Sequence, residues 1–325
     1  VGEFELIRRC FMQAQEGAGV VTGIGDDCAV LDVPAGQQLV VSIDTLVEGV
    51  HFLPDTAPEQ LAERLLGAAV SDLAAMAAVP GWLTLALTLP QADESWLLAF
   101  SDALARRCQA FGIALVGGDT TRGPVCVMSA QVHGWVPRGK ALLRSAARPG
   151  DRVLVSGTLG DSRGGLETLL QPLPTHAEPA LIAQLRQRFY RPEPRLELAQ
   201  HLREHVHAAI DISDGLLGDL GHILEASGVG ARLQVDRLPL SSALQQLYPQ
   251  QARDWALAGG EDFELCLTVP ADEVDACLAT ARSLGICLTE VGEITAETGL
   301  QVLDENGQAL QLLPGSWDHF RSKDE

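Results

Sequence analysis

Five short stretches of the chain gather acidic residues, most of them beside glycine, where an apolar run gives way to a turn. They are GIGDD at 23–27, SID at 42–44, GGDTT at 117–121, DISDG at 211–215 and GGED at 259–262. Glycine at such turns lets the backbone take positive φ and approach a ligand closely, while carboxylates at strand ends project into a common crevice. A solvated turn explains any one stretch taken alone. Their recurrence along one chain points to a shared acidic site. Asp72 is a different kind of signal, because its neighbours are Ala68, Ala69, Val70, Leu73, Ala74 and Ala75. A carboxylate in such surroundings is costly unless it is hydrogen-bonded or bound to metal, and both readings are open.

Oxygen-rich clusters suit hard cations. Mg²⁺ in particular bridges a few carboxylates to substrate phosphates while keeping some waters, which turns an acidic crevice into a phosphate site. It also neutralises charge on a transferring phosphoryl group, so that transfer needs positioning and electrostatics rather than a covalent nucleophile. The chain has only two lysines, Lys140 and Lys323, so arginine or metal must do the work that lysine clusters do elsewhere.

Two other patterns are weaker. GDSRG at 160–164 matches the G-x-S-x-G elbow of serine hydrolases, but a glycine-rich helix start explains the same residues. HLREH at 201–205 fits the zinc-peptidase pattern H-x-x-E-H, and its charged surroundings read instead as an exposed helix face. No G-x-x-x-x-G-K-[ST] occurs, which excludes a P-loop enzyme.

The elements that must position these acids follow from periodicity. Strands are expected at 28–33, 39–44, 83–89, 114–118 and 125–136, with a helix over 58–79 that starts on Pro58 and is stopped by Pro80. A second helix is expected over 93–110, ending near Gly112. The basic, turn-rich stretch 137–150 reads as a link, which divides the chain into an N-terminal α/β domain at 1–138 and a C-terminal α/β domain at 139–325. In the second, strands are expected at 153–156, 208–212, 231–235, 264–269 and 288–294, with helices that include 216–226 and 272–284. No internal repeat is visible.

The 325 residues are 46% hydrophobic, enough for two globular cores. A formal charge of −20 repels nucleic acid and anionic membrane, so neither is expected as a partner. Seven scattered cysteines without C-x-x-C spacing fit a reducing, cytoplasmic setting, and no apolar run approaches membrane-span length.

GEFELI, GIGDDCAVL, SIDTLVEGVHF, SDLAAMAAVPGWLTLALTLP, GGDTTRGP, AIDISDGLLGDLGHI, GGEDFELCLTVP and SWDHF, in this order along essentially the whole chain, closely resemble the thiamine-monophosphate kinases. These belong to a superfamily shared with aminoimidazole ribonucleotide synthetase and selenophosphate synthetase. The resemblance implies a two-domain α/β (α+β) architecture, a homodimer formed through the N-terminal sheet, and ATP with several Mg²⁺ ions used to phosphorylate thiamine monophosphate to thiamine diphosphate. It also implies metal ligation by Asp27, Ser42, Asp44, Asp72, Asp119, Asp211 and Asp214, ATP binding by Gly118, Asp119, Arg144 and Ser213, and substrate binding by His51, Glu261 and Trp317. From the residues alone, His51 and Trp317 also read as a structural hydrogen bonder and a packing residue. The rival readings are a sister ATP-dependent synthetase and a non-catalytic Ca²⁺-binding module; the latter lacks EF-hand spacing.

Overall fold

The computed structural model describes residues 10–11, 17–175 and 177–310. They form two compact units, one reaching Ala141 and taking in Tyr190–Pro192, the other made of Leu142–Phe189 and the chain from Glu193 onward.

The first unit starts with a small antiparallel pair, β1 (Val20–Thr22) and β2 (Val30–Leu31). β3 (Gln37–Val47) follows, then helix α1 (Pro58–Ala75), β4 (Val79–Leu89), α2 (Glu94–Phe111), β5 (Ala114–Arg122) and β6 (Val127–Pro137). The long strands make one sheet in the order β3-β6-β4-β5, antiparallel except for β4 with β5. Those two run parallel because α2 carries the chain back between them.

The ends of α1 and α2 are set locally. Pro58 occupies the first turn of α1, where its missing N–H costs nothing, and a stripe that includes Leu61, Leu65, Ala69 and Leu73 is buried. The helix ends at Ala75, four residues before the expected stop. Ala77 takes a positive φ of 53° and reverses the chain, so that Val79 and Pro80 already belong to β4. Pro80 sits next to a register irregularity in the β4–β6 ladder, where a strand tolerates a missing N–H. In α2 the Asp93 carboxylate accepts from the Ser95 and Trp96 amides, and Gly112 closes the helix in the left-handed region. The strand expected over 28–33 shrinks to Val30–Leu31, since the acids before it form a loop.

Helix α1 packs against β3, β6 and α2, which covers one face of the sheet. On the other face β3 leaves Leu39, Val41 and Ile43 about half or more exposed. Tyr190–Pro192 is clamped by the buried Arg107, whose guanidinium donates to the Pro192 carbonyl at 2.5 Å and pairs with Glu63 at 3.1 Å. Gly67 gives that carbonyl room, because a Cβ there would come within 2.8 Å of it.

In the second unit the elements are β7 (Arg152–Ser156), α3 (Asp161–Leu170), α4 (Pro179–Tyr190), α5 (Leu196–Leu202), β8 (Ala208–Asp211), α6 (Leu216–Ser227), β9 (Gly230–Gln234), α7 (Ser242–Leu247), α8 (Ala252–Ala258), β10 (Leu265–Val269), α9 (Val274–Ser283), β11 (Leu288–Thr295) and β12 (Gly299–Leu303). Its six-stranded sheet runs β12-β9-β11-β7-β10-β8, with only the β12–β9 pair parallel. Val153, Val155, Ile210, Leu220 and Ile223 belong to its main core, and Leu185, Leu244 and Leu247 to a smaller one.

The glycines of GDSRG and its successor serve packing. A Cβ at Gly164 would lie 2.8 Å from a Leu244 methyl, and one at Gly165 only 2.3 Å from the Leu185 carbonyl oxygen and 2.9 Å from the Phe189 Cβ. Backbone cannot give way as a side-chain tip can. Gly165→Ala is therefore expected to lower the stability of this unit by about 1–3 kcal/mol, the usual scale of overpacking, despite alanine's better helix propensity. Urea unfolding followed by far-UV circular dichroism checks this; an unchanged or raised midpoint contradicts it.

Candidate functional site

In the first unit the acids lie at two edges of one sheet. β3 carries Ser42 and Asp44 on the face that α1 covers, and the Ser42 hydroxyl donates to the Asp72 carboxylate from that helix in a very short contact. Two hard oxygen donors thus stand side by side, both half-buried. Asp72 has the hydrogen-bond partner its apolar setting demands, and that partner is itself one of the expected ligands. Asp27 is exposed in the loop between β1 and β2, beside Asp26, whose carboxylate accepts the Asp27 amide at 2.8 Å.

Gly118 and Asp119 lie on β5, the opposite edge from β3. The register puts Asp44, Ala130, Leu85 and Gly118 in one cross-sheet row, and Thr45, Ser129, Ala86 and Asp119 in the next. Asp119 therefore stands three strand spacings from β3, roughly 14 Å, and out of phase with Asp44. The unit brings Ser42 and Asp72 together and holds Asp119 apart from them. Among the described residues no three His, Cys, Asp or Glu side chains form a ready-made metal cage. Such dispersed oxygen donors fit Mg²⁺ bridging to phosphate oxygens, a mode that takes one or two carboxylates per ion rather than an all-protein cage.

His51 follows β3 in a turn. The Val47 amide donates to its Nδ1 at 3.1 Å, and since an amide can only donate, Nδ1 is the acceptor and Nε2 carries the proton. The buried Arg64 donates to the His51 carbonyl at 3.3 Å and steadies the turn from below.

The second unit gathers its expected residues more tightly. Asp211 ends β8 and is buried, Ser213 and Asp214 follow it half-buried, and Glu261 lies in a neighbouring loop. The two loops are zipped by backbone bonds: Ile212 N–H to Glu264 O at 2.7 Å, Phe263 N–H to Ile212 O at 2.8 Å and Glu261 N–H to Ser213 O at 2.6 Å. Glu261 and Phe263 pay for this zipper with positive φ of 58° and 51°, strain of the kind that gathers at functional loops. Arg144 is exposed in a short 3₁₀ turn whose carbonyl accepts the Ser227 hydroxyl at 2.9 Å. Trp317 lies outside the described residues.

Three carboxylates absent from the sequence-based site hold these loops. Asp219, in the first turn of α6, accepts the amides of Ser213, Asp214 and Gly215 at 3.0, 3.0 and 3.1 Å through a single oxygen. Burial pushes its carboxyl up to about 7 against the pull of those amides. Asp262 is almost wholly buried and accepts the Gly160 amide at 2.7 Å and the Ser162 amide at 3.3 Å, capping α3 from the GGED loop. Burial pushes it up to about 8. Glu264 is fully buried and takes Arg195 through both oxygens at 2.6 Å, Arg188 at 2.8 Å and the Ser156 hydroxyl at 2.6 Å. The spacing of GGED and of GLLGDL was the only trace of these roles, because each depends on partners that only the fold supplies.

The two decoy motifs dissolve. Ser162 is inside α3 with its hydroxyl fully buried and without a hydrogen-bond partner among the described residues, which removes it as a nucleophile. HLREH does not share one helix face either: α5 stops at Leu202, His201 faces the Glu197 carbonyl at 2.8 Å, and His205 pairs with Glu273 at 2.8 Å.

The chain matches the profile of the AIR synthase related protein, N-terminal domain, over residues 25–136, and that of the C-terminal domain over 148–305. A thiamine-monophosphate kinase of Salmonella typhimurium is 48% identical over 98% of both chains, and one of Bacillus subtilis 33% identical over 98% of this chain and 99% of its own. The chain belongs to the thiamine-monophosphate kinase family. Among solved structures, the thiamine-monophosphate kinase of Stenotrophomonas maltophilia K279a aligns with a TM-score of 0.87 at 46% identity, covering 95% of this chain and 98% of that one. A structure described as AaThiL complexed with AMPPCP and TMP aligns with a TM-score of 0.78 at 32% identity, over 98% and 97%. Membership in this kinase family also accounts for two α/β units, and for the absence of a P-loop.

The raised carboxyls carry a pH signature. A native group at about 8 against an ordinary 3.8 binds its proton more tightly folded than unfolded, so its contribution to stability is complete below about pH 4 and is lost as pH rises through 8. Asp219 acts in the same direction up to about 7. Asp262→Asn cannot ionise, so its melting temperature is expected to fall less steeply than that of the parent between pH 5 and 9. Calorimetry in chelator checks this, and parallel slopes contradict it.

Proposed function

We propose that this chain transfers the γ-phosphoryl group of ATP directly to the phosphate of thiamine monophosphate, giving ADP and thiamine diphosphate. The observation that carries the proposal is the end-to-end likeness to kinases of that name, one neighbour of which binds an ATP analogue together with TMP. An oxygen of the acceptor phosphate forms the new bond to the γ-phosphorus in line with the bond to the β–γ bridging oxygen, which breaks and leaves its electron pair on ADP. The acceptor oxygen is already ionised, so no strong general base is needed. That suits a site rich in carboxylates.

Asp27, Ser42, Asp44, Asp72 and Asp119 of the first unit and Asp211 and Asp214 of the second are the proposed Mg²⁺ holders. When bound, Mg²⁺ supplies positive charge to the phosphoryl oxygens. Gly118 and Asp119 approach the nucleotide from the middle of β5, where glycine admits close backbone contact. Arg144 offers charge-assisted hydrogen bonds to phosphate, and Ser213 a hydroxyl beside it. Asp219 keeps the amides of 213–215 occupied, so that loop meets ATP through side chains and cation rather than as a bare amide nest. On the acceptor side, His51 presents Nε2–H as a donor, Glu261 accepts hydrogen bonds or balances the thiazolium charge, and Trp317 supplies a flat face for a cationic ring.

The uncovered face of the first sheet, with Leu39, Val41 and Ile43 along its edge strand, is the proposed contact with a second copy of the chain. No described helix is long and apolar enough to cross a membrane. All seven cysteines are free thiols, which supports a cytoplasmic setting.

A coupled assay for ADP release tests the activity: thiamine monophosphate should support turnover and unphosphorylated thiamine should not, whereas equal rates would overturn the proposal. Asp72→Asn keeps the shape and the Ser42 contact but loses the charge. It is expected to cut turnover by roughly a hundredfold or more, on the order of 3 kcal/mol in the barrier, with an unchanged circular dichroism spectrum. A melting shift with normal turnover at saturating Mg²⁺ would make Asp72 a structural hydrogen bonder instead.

A further inference from the structure

A second charged feature lies in the second unit, away from the acidic loops, on the β12–β9–β11–β7 part of the sheet. Arg232, Glu293 and Arg152 face one another across three neighbouring strands, in register from β9 to β11 to β7. Glu293 pairs with Arg152 at 3.0 Å and with Arg232 at 3.5 Å. Beside this row, Arg237 reaches in from the turn after β9 towards Glu290, at 3.5 Å. Between them is a cavity of about 290 Å³, whose lining also includes Gln234 and Gly292.

A cross-strand ladder of alternating charge is a common way to stabilise a sheet, and it explains the Arg232–Glu293–Arg152 row by itself. It does not explain the cavity or the third arginine. Three guanidiniums bring about fifteen N–H donors against about eight acceptor sites on two carboxylates. Only one of the ion pairs has the length of a strong hydrogen bond; Arg152 and Glu290 are 3.9 Å apart. The site thus holds one positive charge in excess, in a chain whose formal charge is −20. The fold also keeps the cavity open. β11 is irregular between Glu290 and Gly292, so that Glu290 and Glu293 stand opposite Leu154 and Arg152 and share one face of the sheet, and Gly292 presents bare backbone between them. A Cβ there would meet the Arg232 carbonyl at 2.1 Å. Bulges of this kind recur where a strand is re-aimed for binding.

We propose that this cavity is an anion site that takes a phosphate dianion, free or as a phosphomonoester, independently of the acidic kinase centre. The three guanidiniums supply the forked donors that phosphate geometry matches, and Gln234 adds an uncharged amide at the rim. Glu290 and Glu293 hold the arginines apart while the site is empty and weaken its affinity for anions.

The two kinds of site separate cleanly in chelator, because carboxylates without a cation repel phosphate whereas arginines need no metal. Isothermal titration of the full chain with inorganic phosphate and, separately, with phenyl phosphate, in excess EDTA at low salt, should show one saturable site that weakens as salt rises. Tighter binding of the ester assigns the site to phosphomonoesters, and tighter binding of inorganic phosphate assigns it to the free ion. Arg232→Gln and Arg237→Gln should each weaken binding roughly tenfold, the scale of one charged hydrogen bond, while kinase turnover stays at the parent level and reports an intact fold. Glu293→Gln should tighten it, an opposite sign that a purely structural ladder does not give. Absence of saturable binding up to roughly 10 mM, or phosphate binding that none of these substitutions alters, would overturn the proposal.

Discussion

A carboxylate taken out of water costs several kcal/mol unless its lone pairs are filled, and the second unit buries Asp161, Asp211, Asp219, Asp262 and Glu264 around the ends of β7, β10 and β8. The rest of that unit's functional edge depends on how this cost is met. Glu264 is satisfied by two arginines and a hydroxyl, Asp262 by the first amides of α3, and Asp219 by three consecutive loop amides. Each bond that satisfies a carboxylate also fixes a loop, so the cost of burial is converted into position. Without it, the left-handed residues of 260–263 would have no reason to stay where they are.

The first unit solves a related problem with less burial. Its acids sit on different elements, half-buried or exposed, and the Ser42 hydroxyl meets Asp72 from the neighbouring helix. A sheet with one helix-covered face supplies fixed positions at both of its edges, and the alternation of the strands decides which face each acid occupies. Dispersed oxygens of this kind do not form a cage by themselves. In the proposed reaction a cation and a phosphate chain would supply the remaining ligands, a role that suits a chain with a surplus of acid and only two lysines.

Much of this was legible in the sequence because it is local. Pro58, Asp93 and Gly112 mark helix ends through φ, capping and left-handed backbone, and each does so in the fold. Pro80 misled for an instructive reason: proline stops a helix, but here Ala77 had already done so, and Pro80 serves an irregular strand. The acid-rich loops were found by their composition, and the DISDG and GGED loops do lie against each other. The residues that hold them were not found, because Asp262 meets Gly160 across 102 positions and Glu264 meets Ser156 across 108. No periodicity encodes such pairs. The GDSRG match at 160–164 was already better explained by a glycine-rich helix start, but only the packed neighbours reveal that Gly164 and the following Gly165 make room for Leu244 and Leu185.

The central claim is that these carboxylates serve phosphate only through divalent cations. The most direct measurement is the affinity of a nonhydrolysable ATP analogue, by isothermal titration, in excess chelator and again in millimolar Mg²⁺. The account predicts binding in Mg²⁺ that weakens at least ~100-fold, about 2.7 kcal/mol, when the metal is removed. Equal affinity under the two conditions would contradict it.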